Sequence, residues 1–165
     1  MQAFPLSSTA FAPFGELVAD ATAHSIFPVN DGRALRHARL ATPKSISAAY
    51  LRQEISLYRV ACSPWPVEVA YFERHALSSQ LFYPLGSAAY LVVVCASDAL
   101  GAPDPLTAIA FTGGTGCGIN YHPGTWHYPL VTLGQQSDFL MLMAESGTEA
   151  DCEIAWLAQP LLVQS

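Results

Sequence analysis

The sequence predicts an all-β fold, a sandwich or a closed barrel with one or two short helices. Three observations predict it. From Gln53 onward, β-branched and aromatic residues gather in short, partly alternating runs. Clusters of Gly, Pro, Ser and Asp separate those runs. No long stretch keeps a helical period, because the best candidate, residues 34–51, is interrupted by Pro43. Many short strands with regular turn signals favour closure, which removes exposed strand edges.

The elements follow in order. Ser7 or Ser8 can cap a short helix within residues 6–14, and Pro13 and Gly15 stop it. Leu17 and Val18 begin a strand. Residues 54–62 form the next, ended by Pro64 and Pro66. Residues 67–73 alternate, which puts Val67, Val69, Tyr71 and Glu73 on one face. Residues 81–83 end at Pro84, and the continuous apolar run 89–95 reads as a buried strand. Strands at 107–112, 117–122, 126–133, 138–143 and 152–157 complete the set, all in one domain over residues 1–165.

Composition excludes several function classes. With 52% hydrophobic and 12% charged residues, the 165-residue chain has the apolar surface that a disordered chain lacks. The formal net charge of −6, with no Lys/Arg cluster, excludes a phosphate-binding footprint and gives no attraction to anionic membranes. Residues 1–15 carry neither a basic nor an uninterrupted apolar segment, so no secretory signal is expected. The apolar run 88–99 is too short to span a bilayer. Cys62, Cys95, Cys117 and Cys152 form no CxxC pair, which predicts free thiols in a reducing cytoplasm. The glycines of residues 113–118 precede neither a Lys nor a helix, so they read as a strand connection rather than a phosphate loop. No GxSxG elbow marks a serine hydrolase, and nothing local stabilises a Cys117 thiolate.

Two clusters could carry chemistry. Glu73 and His75 are two residues apart at a strand end, so an extended backbone turns both to one face. Gln80 opens the next strand. If that face is the barrel interior, a carboxylate and an imidazole enter the cavity together; otherwise this is an ordinary solvated strand end. The second cluster is Asn120-Tyr121-His122-Pro123-Gly124-Thr125-Trp126-His127-Tyr128-Pro129. Its Pro-Gly turn can fold His122 and His127 toward one another, as acid/base groups or metal ligands, with aromatic walls beside them. The plainer reading is a surface turn with its aromatics in the core.

These segments resemble the ureidoglycolate lyase family. Residues 73–84, with Glu73-Arg74-His75 and Gln80-Leu81-Phe82-Tyr83-Pro84, are similar to one family signature. Residues 118–130 are similar to a second, and Ser137-Asp138-Phe139-Leu140 follows as in the family. Weaker similarity lies at residues 5–16, at Asn30-Asp31-Gly32 and around Arg59. The resemblance implies a cupin-like double-stranded β-helix, a jelly-roll barrel, as a homodimer. It implies a lyase of purine and allantoin breakdown that splits ureidoglycolate into glyoxylate and urea. Two departures stand out: Ala38-Arg39 where the family carries His-Asp, and Met143-Ala144 where it carries Asp-Arg.

The implied chemistry is an acid/base elimination that requires no cofactor. Glu73, His75, His122 and His127 are the candidates for proton transfer and orientation. Gln80 and Asn120 are candidates for the urea amide, Arg59 and Arg36 for the carboxylate, and Tyr121 and Trp126 for the pocket wall. A divalent metal, if one is used, would find His75, Gln80, His122 and His127. The departures leave open an enzyme for a related hydroxy-acid amide. The same residues are also compatible with a metabolite sensor without turnover, or with a barrel that has no pocket.

Overall fold

Alternation and β-branching become strand almost wherever they occur. In the computed structural model, which describes residues 1–46 and 51–165, the strands are β1 (Ala3–Pro5), β2 (Gly15–Ala19), β3 (Ser25–Val29), β4 (Ala34–Ala38), β5 (Arg52–Val60), β6 (Cys62–Ser63), β7 (Val67–Arg74), β8 (Gln80–Pro84), β9 (Ala89–Cys95), β10 (Ile109–Gly113), β11 (Cys117–Tyr121), β12 (Trp126–Leu133), β13 (Ser137–Glu145) and β14 (Glu153–Val163). The helix α1 (Ser8–Phe11) starts where expected: the Ser7 side chain accepts a hydrogen bond from the Ala10 N–H at 3.3 Å.

One sheet runs β1-β10-β9-β12-β7-β14, with β6 beside β12. The other runs β2-β11-β8-β13-β5, and β3 and β4 pair only with each other. From β7 onward the chain crosses repeatedly from one sheet to the other. This is the jelly-roll arrangement the resemblance implied. The glycine-rich segment is the β10–β11 turn, closed by the Cys117 N–H donating to the Gly114 carbonyl at 3.2 Å. No helix among the described residues is long and apolar enough to cross a membrane.

The sheets face each other across a core of Tyr90, Val92, Val94 and Phe111 against Phe82, Ile119, Tyr121, Phe139 and Met141. A second core lies on the opposite face of the first sheet, with Leu91, Val93 and Cys95 beside Val67, Phe72, Trp126 and Val163. Strand β9 is thus buried on both faces, which is why its sequence is apolar without alternation. Burying a side chain of this size contributes roughly 1.5–3 kcal/mol.

Several sequence expectations are corrected. Residues 34–38 are the strand β4, not the start of a helix; residues 47–50 of that stretch lie outside the described residues. Strands β1 and β3 were not expected, and β14 runs well past residue 157. The common face of Val67, Val69, Tyr71 and Glu73 is broken. Phe72, not Tyr71, joins Val67 and Val69 in the outer core. The cause is an irregularity in the β7–β14 ladder between Trp156 and Leu161, which switches the face of the strand.

Candidate active site

That switch turns Glu73 inward. It follows Phe72, which packs outward, so alternation sends Glu73 and then His75 into the space between the sheets. His127 arrives from β12, whose residue 127 lies opposite Glu73 in the ladder. The Pro123-Gly124 turn sets that position: Gly124 has φ +78°, a conformation that suits glycine, and its N–H donates to the His75 carbonyl at 2.9 Å. Gln80 enters from the start of β8, opposite Met143 and Tyr121. The result is a cavity of about 340 Å³ whose wall includes Tyr58, Glu73, His75, Gln80, His127, Met143, Glu145, Asp151 and Cys152.

The two imidazoles have defined tautomers. His75 Nδ1 lies 2.7 Å from the Asp151 carbonyl, and His127 Nδ1 lies 2.9 Å from the Thr125 carbonyl. A carbonyl only accepts, so each Nδ1 carries hydrogen and each neutral ring presents a bare Nε2. Both Nε2 atoms are buried and have no hydrogen-bond partner, and so is Gln80 Oε1. His127 Nε2 lies 3.5 Å from Glu73 Oε1. That is ion-pair range but too long for a good hydrogen bond. One ligand atom from each of Glu73, His75 and His127 lies within 4.8 Å of the others. The Tyr121 ring stacks on His127 at 4.1 Å between centroids and fixes its plane.

Electrostatics bear on the same trio. Burial pushes the Glu73 pKa up, but the neighbouring His127 and His75 outweigh it and the net direction is down. Burial, then repulsion from His127, pushes His75 below the ordinary histidine value. The Asp151 carboxylate holds the loop behind His75, accepting from the Ser146, Gly147 and Thr148 N–H groups and from the Ser146 hydroxyl at 2.7–3.1 Å.

The structure brings Glu73, His75, His127 and Gln80 together and separates the other candidates. His122 lines a different cavity, with Phe14, Cys95 and Trp126. Tyr121 is the last inward residue of β11, and the chain turns His122 away after it. Asn120 faces outward and donates to Glu16 Oε2 at 2.8 Å, so its role is structural. Trp126 faces outward next to inward His127; its indole N–H donates to the Gly101 carbonyl at 3.1 Å beneath the Arg74 guanidinium. Tyr121 backs His127 rather than lining the cavity. Arg59 follows inward Tyr58 on β5 and so points out, where it pairs with Asp138 at 3.0 Å. Arg36 lies on the β3–β4 hairpin over Phe27. The metal set of His75, Gln80, His122 and His127 is likewise corrected: Glu73 takes the place of His122 in the cluster that can hold an ion.

Sequence reasoning missed Tyr58, Asp151 and Cys152 as wall residues. Strand parity in β5 could have found Tyr58. Asp151 acts on His75 through its backbone carbonyl, which no residue-type pattern reveals. Met143, one of the two departures in the second pair, does face the cavity, and Glu145 lies beside it.

Fold and cavity together define a jelly-roll barrel with an acid–base pocket between its sheets. A family model described as ureidoglycolate lyase matches residues 1–164. A ureidoglycolate lyase from Pseudomonas syringae pv. syringae is 34% identical over 160 residues, covering 96% of this chain and 91% of the relative. Another from Pseudomonas fluorescens is 38% identical over 152 residues, covering 90% of this chain and 86% of the relative. Among solved structures, a dTDP sugar isomerase from Desulfovibrio desulfuricans G20 aligns at TM-score 0.45 and 17% identity over 86% of this chain and 82% of that chain. The chain belongs to the ureidoglycolate lyase family.

Proposed function

We propose that this protein is a lyase that splits ureidoglycolate into glyoxylate and urea in allantoin breakdown. Two observations support the reading: the family membership, and a half-buried carboxylate facing two bare imidazole nitrogens in a cavity sized for a small metabolite. Ureidoglycolate is a carbinolamide, with a hydroxyl, a carboxylate and a urea nitrogen on one carbon. A base takes the hydroxyl proton, the carbonyl forms as the C–N bond breaks, and the leaving nitrogen takes a proton. His75 and His127 supply the Nε2 lone pairs for that transfer, Glu73 stabilises the imidazolium that results, and Gln80 orients the amide. Groups so placed contribute on the order of 10²–10⁴-fold each. The test is matched release of glyoxylate and urea above the spontaneous rate. A folded sample that releases neither contradicts the proposal.

A metal-assisted form of the same reaction is supported by the trio itself. Each histidine gives its Nδ1–H to a carbonyl and keeps Nε2 free, which is how metal-binding histidines are held. Glu73, His75 and His127 would hold a divalent first-row ion. Such an ion would supply Lewis-acid polarisation of a substrate oxygen. Metal analysis of the purified protein, with turnover before and after chelation, decides between the two forms.

We also propose a homodimer. The outer face of the β5–β13 pair exposes Ile55 and Leu57 on the edge strand β5 and Leu140 on its neighbour β13, at 69%, 58% and 38%, the kind of surface a second copy covers. Four unpaired cysteines support a reducing, cytoplasmic setting.

A further inference from the structure

The wall of the pocket is rich in acceptors and poor in donors. Gln80 Oε1, His75 Nε2 and His127 Nε2 are buried acceptors with no partner. Glu73 and Glu145 add carboxylates, whereas the Asp151 carboxylate is held by its own loop. Desolvation first, and then repulsion from Asp151 and Glu54, raises the Glu145 pKa. Among the described residues no lysine or arginine lines the cavity. Its donors are uncharged: the Tyr58 phenol, the Gln80 amide and the Cys152 thiol. Arg59 is committed to Asp138, and Arg74 to Glu153. Arg52 lies on the rim instead. It pairs with Glu145 in the β5–β13 ladder, in register with inward Tyr58, beside a shallower depression lined by Glu54 and Glu145.

A substrate carboxylate offers only acceptors and finds no cationic donor among the described residues that line the cavity. A ureido group offers N–H donors, and the carbinol adds an O–H. On the lyase reading above, we infer that the pocket takes its substrate by the ureido end and leaves the carboxylate at the rim, so that neutral carbinol derivatives of urea are substrates too. The simplest is (hydroxymethyl)urea. Its hydroxyl proton passes to the base, the oxygen's electron pair forms the carbonyl of formaldehyde, the C–N bond breaks, and the nitrogen takes a proton to give urea. Nothing is oxidised or reduced.

The size of the effect separates the two orientations. A site that hydrogen-bonds a substrate group rejects the analogue lacking it by about 10⁴-fold. A group left at a solvated rim contributes only about 1 kcal/mol or less, which is tenfold or below. The experiment measures kcat/KM for ureidoglycolate and for (hydroxymethyl)urea with the protein as purified, each above its spontaneous rate. A value for (hydroxymethyl)urea within about a hundredfold of that for ureidoglycolate supports the inference. Turnover of ureidoglycolate with a larger deficit for (hydroxymethyl)urea overturns the inference and leaves the lyase reading intact. Turnover of neither overturns both.

Discussion

At His75 and His127 a backbone carbonyl accepts from Nδ1, so in each neutral ring Nε2 carries the lone pair that can take a proton. His127→Gln is expected to lower kcat on the order of 10²–10⁴-fold, while His122→Gln changes it by less than about threefold, because His122 lines another cavity. Equal losses in steady-state assays of both variants would contradict the assignment. The pH dependence follows from His75. Burial first, and repulsion from His127 second, put its folded pKa below the ordinary 6.5. A proton acceptor must be neutral, so kcat/KM holds as pH falls toward 6.5 and drops only below it. The stability sign agrees. With the folded pKa the lower one, the unfolded chain binds more protons between the two values, so the stability contributed above the unfolded pKa is lost as pH falls through that window. An acid limb at or above the ordinary histidine value would show that His75 is not the group.

Strand β11 separates two duties along its length. Tyr121 faces inward and backs His127, while Asn120 faces outward and ties the barrel to the segment before β5, donating to Glu16 Oε2 and to the Thr42 carbonyl. Lys44 N–H donates to the Ser79 hydroxyl in the same strap. Asn120→Leu is therefore expected to cost about 1–3 kcal/mol in denaturant unfolding, since it strands a partly buried carboxylate, and to leave KM unchanged. A raised KM with unchanged stability would instead restore Asn120 to the substrate. Gly118 on the same strand has no room for a side chain: an added Cβ would meet the Phe82 carbonyl oxygen at 2.6 Å. Gly118→Ala is expected to lower Tm through that backbone clash, with any effect on the pocket, whose wall includes Phe82, read separately by activity.

For the whole molecule, the two sheets enclose a core at β9, and β5 and β14 are the outer strands of their sheets. The pocket lies between Tyr58 of β5 and Glu73 of β7. The apolar outer face of β5 and β13 lies close by, so the proposed homodimer would be carried by strands that also wall the site. Leu57→Lys is expected to shift sedimentation from dimer to monomer at micromolar protein, because a charge there must be desolvated on pairing. An unchanged sedimentation coefficient would place the interface elsewhere.

Period and composition by themselves determined the all-β class, a helix cap at Ser7 or Ser8 and the buried run of β9, because these follow from local backbone and burial rules. The motifs at residues 73–84 and 118–130 located the chemistry to within a few residues, and Glu73, His75, Gln80 and His127 do share one cavity. The tertiary structure alone decided which motif residues belong. The face of a strand residue depends on every irregularity before it, and the slip between β7 and β14 is invisible to alternation. The same geometry sent His122, Asn120, Trp126 and Arg59 away from the pocket. It brought in Tyr58 from β5, and Cys152 and the Asp151 carbonyl from more than seventy residues beyond Glu73 and His75. Residue type sets what a group can do, but only packing sets the neighbours that let it act.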